Sequence, residues 1–302
     1  MKLLLVDGSA LLHRAYHAYP ALTTRSGEVV GAVYGVASML ISAIEAEHPT
    51  HVVVAWDLPK PTFRHEMFVG YKAQRPKADA EMVEQIPRVK EIIEAMGVKQ
   101  IAAEGYEADD IIGTLAKRAS EEVVILTGDQ DTMQLVSNNV RVLTPAKGDQ
   151  PAKYYDPAAV EAKYGARPEQ IVDYKALVGD QSDNIPGVAG IGPKTAANLL
   201  QAYETLENIY AKVRELTNEK VKEKLVSGRD SAILSQELSR IVTNVPVEVA
   251  PEEMTGFDLQ GPTLKGELEE LGFKSLIRRI WPENDPPSRK RSGEASNQIG
   301  LF

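Results

Sequence analysis

Short apolar runs alternate with longer mixed segments along the first half of the chain. Nearly continuous apolar runs are typical of strands buried on both faces of a sheet, whereas helices bury one stripe at a spacing of three to four residues. Strands are predicted at residues 2–6, 51–56, 98–102, 122–127 and 140–143, and helices at 31–47, 81–96 and 107–119. This alternation indicates an α/β fold with a central, mostly parallel sheet.

The strand pattern stops at about residue 157, and helical spacing continues beyond it. Helices are predicted at residues 157–163, 168–178, 193–203, 218–226 and 229–243. Residues 282–297 are polar and rich in turn formers, which is typical of a disordered tail. We expect three parts, an α/β core at 1–156, a helical subdomain at 157–282 and a tail at 283–302.

Carboxylates stand at the ends of these apolar runs. Asp7, Asp57 and Asp129 each follow a predicted strand, and sites in parallel sheets form beyond the carboxyl ends of the strands. Further acids stand at Glu107, Asp109, Asp110, Asp131, Asp180 and Asp183. Converging carboxylates repel one another, and hard divalent cations with oxygen ligands relieve that repulsion. The pattern predicts a site for Mg²⁺ or Mn²⁺.

Each acidic cluster also has a structural explanation. Glu107 and Asp110 lie near the start of a predicted helix, where the macrodipole favours negative charge. Asp129 and Asp131 could form a turn followed by a helix N-cap. Because several such clusters end predicted elements, we favour the metal site over a series of independent structural roles.

The composition excludes several kinds of site chemistry and indicates the compartment in which the protein is expected. The chain has 302 residues, 43% hydrophobic and 25% charged, which is ordinary for a soluble globular protein. It has no cysteine, which excludes disulfides, thiolate zinc sites and cysteine nucleophiles. No apolar stretch approaches the roughly 20 residues of a membrane span, so a cytoplasmic protein is expected.

Positive charge is clustered although the net charge is −9. Residues 60–77 hold a basic segment that includes Arg64, Lys72 and Arg75. If the segment is helical, Arg64 and Lys72 lie within about 80° of each other. A basic helix beside an acidic metal site suits a polyanion that approaches the cations, and the alternative is a solvated surface helix.

A glycine-rich turn at residues 184–196 leads into a predicted helix. Gly187, Gly190 and Gly192 would let the backbone approach a partner closely. The N–H groups at the helix start, with Lys194 and Thr195, are suited to phosphate. The pattern indicates a helix-hairpin-helix that binds duplex backbone without reading its sequence, and the alternative is a purely structural turn.

Taken in order, these motifs resemble the 5′-nuclease domain of bacterial DNA polymerase I, within the flap-endonuclease superfamily. The resemblance runs from residue 1 to about 282. The matching motifs are Val6-Asp7-Gly8, Phe63-Arg64-His65-Glu66, Gly70-Tyr71-Lys72, Glu107-Ala108-Asp109-Asp110, Gly128-Asp129-Gln130-Asp131, Gly179-Asp180-Gln181-Ser182-Asp183-Asn184 and Gly190-Ile191-Gly192-Pro193-Lys194.

The resemblance implies a PIN-like core, a helical arch at about 58–85, a helix-hairpin-helix and a potassium ion at the hairpin. It implies that the acids named above bind two or more Mg²⁺ or Mn²⁺ ions. Arg64 and Lys72 would position and neutralise the scissile phosphate. The DNA contacts would come from Tyr71, Arg75, Gly187, Gly190, Gly192, Lys194 and Thr195.

The last residues resemble the peptide that binds the bacterial sliding clamp. Gln298, Ile299, Leu301 and Phe302 would supply its contacts, and a flexible tail would give the peptide reach. The alternative is an incidental apolar end. If the motif holds, the protein is expected to be a stand-alone enzyme rather than a fragment of a polymerase.

We therefore expect a metal-dependent, structure-specific 5′-nuclease. It would act on 5′ flaps, on nicked duplexes and on RNA primers paired with DNA during replication and repair, by a two-metal hydrolysis. The alternatives are a PIN-type ribonuclease and a non-catalytic module that holds branched DNA. A monomer is expected.

Overall fold

A six-stranded sheet lies at the centre of the protein in the computed structural model, which describes residues 1–19, 22–146 and 151–282. The strands are β1 (Lys2–Asp7), β2 (His51–Ala55), β3 (Lys99–Ile101), β4 (Glu122–Leu126), β5 (Val140–Thr144) and β6 (Lys153–Tyr155). Their order is β3-β2-β1-β4-β5-β6. All neighbours are parallel except β6, which runs antiparallel to β5. The predicted α/β class with a mostly parallel sheet is confirmed.

Helices cover both faces of the sheet and build the second half of the chain. They are α1 (Gly8–Ala18), α2 (Gly31–Glu47), α3 (Phe63–Met67), α4 (Ala80–Glu84), α5 (Ile86–Ala95), α6 (Ala108–Arg118), α7 (Pro157–Tyr164), α8 (Ile171–Val178), α9 (Pro193–Tyr203), α10 (Leu206–Ala211), α11 (Glu219–Ser227), α12 (Arg229–Ser239), α13 (Pro262–Glu270) and α14 (Lys274–Ile280). Short 3₁₀ turns span Asp131–Leu135, Pro168–Gln170, Val213–Glu215 and Pro251–Met254.

The central strands are apolar at every position because helices cover both sides of the sheet. Along β1, Leu4 and Val6 point into a core shared with α1, α2 and α5. Leu3 and Leu5 point to the other face and pack with α6. Successive strand residues alternate between faces, so two buried faces require a continuous apolar run.

The last helices return to the α/β core. Leu264 and Leu268 of α13 and Leu276 of α14 are buried in the same cluster as α2 and α5. A separate cluster joins α8, α9, α11 and α12 through residues such as Leu200 and Leu225. The predicted boundary at residue 156 stays a prediction, but the end of the predicted 157–282 unit packs against the first part of the chain.

Two helical predictions differ from the structure. The helix predicted at 81–96 is divided into α4 and α5 at Gln85, with Pro87 in the first turn of α5. The predicted arch at 58–85 is helical only in α3 and α4. Arg64 and Lys72 do not share a helix, since α3 ends at Met67 and Lys72 lies in a turn with φ of 53°.

Two further predictions concern the rest of the chain. No helix within the described ranges is long and apolar enough to cross a membrane. The predicted tail at 283–302, with the clamp-like residues Gln298, Ile299, Leu301 and Phe302, lies outside the described residues.

Candidate active site

Three carboxylates meet at the carboxyl edge of the sheet, where β1 lies between β2 and β4. Asp7 ends β1 and caps α1, accepting from the Ala10 N–H at 2.9 Å and from Thr127 Oγ1 at 2.9 Å. Asp57 follows β2 and accepts from the Ala108 N–H at 2.8 Å, at the start of α6. Asp129 follows β4. This is the switch point at which ligands bind in open parallel sheets.

Mutual repulsion shows that the acids of this edge lie close together. Burial and the charges of Asp57 and Asp129 raise the pKa of Asp7 to about 7. Burial, Asp129 and Asp7 raise the pKa of Asp109 well above its usual range. Burial also raises the pKa of Asp131 to about 7. Their negative charge is only partly balanced by protein groups, which is the situation that a bound cation relieves.

Arg64 and Asp110 form an ion pair with each other inside the protein, and neither side chain points toward a position for a phosphate or a metal ion. Their side chains are 3% and 0% exposed, and two parallel hydrogen bonds of 2.8 Å join them. Arg64 also donates to the Leu238 carbonyl at 3.0 Å, to the Arg240 carbonyl at 2.8 Å and to Glu107 at 3.3 Å. These contacts occupy all the N–H groups of its guanidinium.

Two predictions concern this pair, the phosphate contact of Arg64 and the metal contact of Asp110, and both stay predictions. Arg64 points into the protein and has no N–H left for a scissile phosphate. Asp110 accepts from Arg64 on both oxygens and also from the N–H groups of Glu107 at 3.1 Å and Val242 at 2.8 Å. Its carboxylate therefore neutralises Arg64 and ties α6 to the segment that follows α12.

The turn that carries Lys72 neutralises two further acids. Lys72 Nζ donates to Glu107 at 3.0 Å. The Tyr71 hydroxyl shares its one proton between Glu107 at 3.0 Å and Asp183 at 3.2 Å. Arg75 also pairs with Asp183. Tyr71 is 3% exposed, whereas Arg75 is exposed at the surface. The DNA contacts predicted for both residues stay predictions.

Lys175 is a site residue that the motif analysis missed. It lies on α8 with 7% of its side chain exposed, and its ammonium contacts Asp131 and, at 2.7 Å, Asp180. The ammonium and Ser182 outweigh the effect of burial and lower the pKa of Asp180. The available signal was a lysine inside the apolar segment Ile171–Val178.

The site offers the oxygen ligands that hard cations prefer, but its carboxylates do not converge on the position of a single ion. Across 1–19, 22–146 and 151–282, no three acidic or histidine side chains are already grouped for a single ion. The donors are carboxylate oxygens, and the pKa shifts of Asp7 and Asp109 show excess negative charge. The residues therefore fit divalent cations that bind oxygen, with basic side chains holding several of the acids.

The glycines of the hairpin differ in whether the backbone requires a glycine at their position. Gly187 is buried with φ of 63°, and a Cβ there would lie 2.3 Å from the Gly179 backbone nitrogen. The fold itself requires this glycine, and its predicted role in contacting DNA stays a prediction. Gly190 also has positive φ, whereas a Cβ on Gly192 would meet nothing within 4 Å.

The start of α9 presents a small polar surface. Gly192 caps the helix, Pro193 fills its first turn, and Lys194 is exposed beside the half-buried Thr195. Lys224 of α11 donates to the Gly190 carbonyl at 2.8 Å and supports the turn from the side. The predicted potassium ion at this hairpin stays a prediction.

Two adjoining family models together match residues 2–262, which end at the first residue of α13. Residues 2–165 match the 5′-3′ exonuclease, N-terminal resolvase-like domain, and residues 166–262 match the 5′-3′ exonuclease, C-terminal SAM fold. The chain belongs to the 5′-3′ exonuclease family. The sequence-based prediction that the chain belongs to this family is confirmed.

Bacterial DNA polymerases are similar over a region of the same extent. DNA polymerase I of Bacillus subtilis is 41% identical over 302 residues, which cover 98% of this chain and 34% of that protein. The thermostable DNA polymerase I of Thermus thermophilus is 42% identical over 282 residues, or 92% of this chain and 33% of that protein. The chain thus spans about a third of the length of these relatives.

Solved structures of distant nucleases share the fold. The bacteriophage T5 D15 protein co-crystallised with metal ions superposes with a TM-score of 0.69 at 20% identity, covering 90% of this chain and 100% of that one. The catalytic core of Rad2 in complex with a DNA substrate gives a TM-score of 0.57 at 16% identity, covering 92% of each chain. The PIN-like core with a helical second half is confirmed.

Proposed function

We propose that this chain hydrolyses phosphodiester bonds at 5′ flaps, nicks and RNA primers paired with DNA, and that it requires Mg²⁺ or Mn²⁺. The observation that carries the proposal is the group of partly compensated carboxylates at the switch point of the sheet. Asp7 and Asp109 have raised pKa values there because burial and neighbouring acids oppose their ionisation. Divalent cations remove that penalty.

Bound cations would polarise the phosphodiester and activate a water molecule. Asp7, Asp57, Asp109 and Asp129 would hold them, because the structure leaves part of each carboxylate free of basic partners. Asp131, Asp180, Asp183 and Glu107 would join once their lysine and arginine partners move aside. Asp110 would act through Arg64, by fixing α6 in place.

Lys72 is the basic residue best placed to meet the reacting phosphate. Its side chain is 21% exposed and pairs with Glu107 beside the acidic edge. If Glu107 bound a cation, the Lys72 ammonium would be released from this pair and could stabilise charge on a phosphate oxygen. Arg75 is exposed in the same turn and would guide the 5′ strand. In this proposal Lys72 and Arg75, rather than Arg64, position and neutralise the scissile phosphate.

The hairpin would hold the duplex at its backbone. Gly192 and Lys194 present N–H groups and an ammonium at the start of α9, and neither group reads base edges. The predicted potassium ion would lie at this turn. Such binding suits a nuclease that recognises a junction by shape.

Two other functions compete with this proposal. A PIN-type ribonuclease would use the same acidic core, and a non-catalytic module would hold branched DNA without cutting it. The match of residues 166–262 to the C-terminal domain of the 5′-3′ exonucleases favours the DNA enzyme. The pKa shifts disfavour a binding module, since crowded acids weaken binding of a polyanion.

The test is cleavage of a 5′-labelled flap duplex with Mg²⁺ or with EDTA, beside a single-stranded RNA. The proposal expects Mg²⁺-dependent cutting at the flap junction and little cutting of the RNA. Cutting of the RNA alone would establish the ribonuclease. Tight binding of the flap duplex without any cutting would establish the binding module.

We further propose that residues 298–302 bind the bacterial sliding clamp, on the strength of their sequence alone. Deleting these residues is expected to remove association with the clamp in a pull-down and to leave cleavage of free DNA unchanged. Association that survives the deletion would reject this partner. A cytoplasmic location and a monomeric state stay predictions from the sequence.

A further inference from the structure

Lys175 is a charged group in an apolar helix. Its neighbours on α8 include Tyr174, Ala176 and Leu177, which are buried in the core of the helical subdomain. A lysine at such a position must be paired or must lose its charge. Its ammonium lies between Asp131 and Asp180, contacting the first and lying 2.7 Å from the second.

The pairing keeps Lys175 charged. Burial alone lowers the pKa of this lysine, but Asp131 and Asp180 outweigh burial and raise it. The ammonium bridges two carboxylates from different parts of the chain, one after β4 and one after α8. A divalent cation bound by the same two acids would perform the same task.

We propose that the Lys175 ammonium holds the place of a divalent cation between Asp131 and Asp180, and that an ion binding there must displace it. This inference rests on the proposed metal-dependent function and names the residue that sets the affinity of one ion. A divalent cation bound to the same two carboxylates would lie close to the ammonium and repel it, so ion and ammonium compete.

The acids Asp7, Asp57 and Asp109 have no comparable competitor, since they make no ion pair within the part of the chain that the structure describes. Lys72 does pair with Glu107, but its side chain is 21% exposed in a surface turn and can swing away. Lys175 starts from a core helix, so leaving Asp131 and Asp180 is costly. The inference gives an order of binding, with a first ion at Asp7, Asp57 and Asp109 and a weaker one at Asp131 and Asp180.

The direct test counts Mn²⁺ ions by calorimetry and by electron paramagnetic resonance, without DNA. Lys175→Met keeps the length of the side chain and removes the competing charge. The weaker site is expected to tighten by about tenfold or more, because no ammonium then has to be displaced by the ion or repels it. The tighter site should keep its affinity.

Lys163→Met is the matched control. Lys163 is a neighbouring lysine on α7 that contacts the neutral side chain of Gln130 rather than an acid. Removing it takes away a nearby positive charge without opening Asp131 or Asp180. If the weaker site bound Mn²⁺ equally more tightly in both variants, the loss of any nearby positive charge would explain the effect. That result would overturn the proposal. So would a Lys175→Met protein whose weaker site is unchanged or weakened.

A second measurement uses the unaltered protein, in case Lys175→Met does not fold. The ammonium of a buried, paired lysine gives a distinct nitrogen–proton signal in nuclear magnetic resonance, assigned here by its absence from Lys175→Arg. Titration with Mg²⁺ should move or broaden that signal only as the weaker site fills. A signal that stays unchanged at saturating Mg²⁺ would overturn the proposal.

These results separate the inference from the proposed function. A protein that binds Mn²⁺ in two steps and responds to Lys175→Met, yet never cuts flap DNA, would retain the inference and lose the function. A protein that cuts flap DNA while Lys175→Met leaves both affinities unchanged would retain the function and lose the inference.

Discussion

At the scale of single residues, the structure separates acids that are open from acids that are already paired. The positions of Asp7, Asp57 and Asp129 could be predicted, because each depends only on the end of a nearby strand. The partner of Asp110 could not, because Arg64 lies 46 positions away in sequence and reaches it only after folding. A motif identifies residue types, whereas ion pairing depends on packing between distant segments.

Arg64→Ala tests the role that the structure gives to this pair. The change leaves the Asp110 carboxylate buried without its counter-ion, and breaking a buried pair in this way costs about 3–5 kcal/mol of unfolding free energy. Urea denaturation measures the loss. Lys60→Ala is the control, because its pair with Glu104 is exposed and such surface pairs add little to stability.

The opposite pattern would restore the sequence-based expectation for Arg64. If Arg64→Ala unfolds at the same urea concentration as the unaltered protein while cleavage of flap DNA collapses, then Arg64 faces the phosphate. The ion pair with Asp110 would not describe the working enzyme.

Glu47 gives a prediction for pH. It is buried at the far end of the sheet, where Lys2 lies 2.6 Å away and Tyr154 and Arg141 also donate. Burial opposes ionisation, but the hydrogen bonds from Lys2 and Tyr154 outweigh it and lower the pKa of Glu47 below 4.5. A lowered native pKa stabilises the fold above the ordinary pKa, and the gain is lost as pH falls through the native value.

Glu47→Gln should therefore destabilise the protein at pH 7 by about 1.5–3 kcal/mol, the range for hydrogen bonds to a charged group. The difference from the unaltered protein should shrink as the pH falls below 4.5, since the carboxyl then becomes neutral. Urea denaturation over that pH range measures it. A difference that grows toward acid would contradict the assigned direction.

At the scale of elements, the order of strands and helices followed from apolar periodicity, but breaks and short elements did not. The predicted helix at 81–96 divides at Gln85 because Pro87 has no N–H to continue the helical hydrogen bonds and its ring crowds the preceding turn. At the break the Gln85 side chain turns inward and accepts from the Ala32 N–H at 2.9 Å. That contact joins residues 53 positions apart. Strand β6 and helix α10 are too short to show a period.

The hairpin gives a matched pair of glycine changes. Gly187→Ala forces an alanine into φ of 63° with its Cβ against the Gly179 backbone, and strain of this kind costs about 1–3 kcal/mol before any clash. Gly192→Ala adds a methyl group to open space and should change stability by less than about 0.5 kcal/mol. Thermal unfolding of both variants measures the contrast, and equal losses would show that the turn adopts another backbone.

At the scale of the whole molecule, the sheet order and the return of the last helices place the site. The order β3-β2-β1-β4-β5-β6 brings the ends of β1, β2 and β4 together, which the alternation of strands and helices allowed us to expect. The docking of α14 could not be predicted, because it depends on contacts such as that between Tyr34 and Ser275, which are 241 positions apart. Sequence patterns report local elements and leave such long-range packing open.

The measurement that tests the central claim most directly is single-turnover cleavage of a flap duplex by Asp109→Asn with Mg²⁺, together with its binding of the same duplex in EDTA. Asp109 lies among Asp7, Asp129 and Asp131, so losing its charge should slow cleavage on the order of 10²–10³-fold or more and leave binding intact. Glu94→Gln, exposed on α5, should cleave normally. Cleavage by Asp109→Asn at the unaltered rate would contradict a metal-dependent centre at this edge of the sheet.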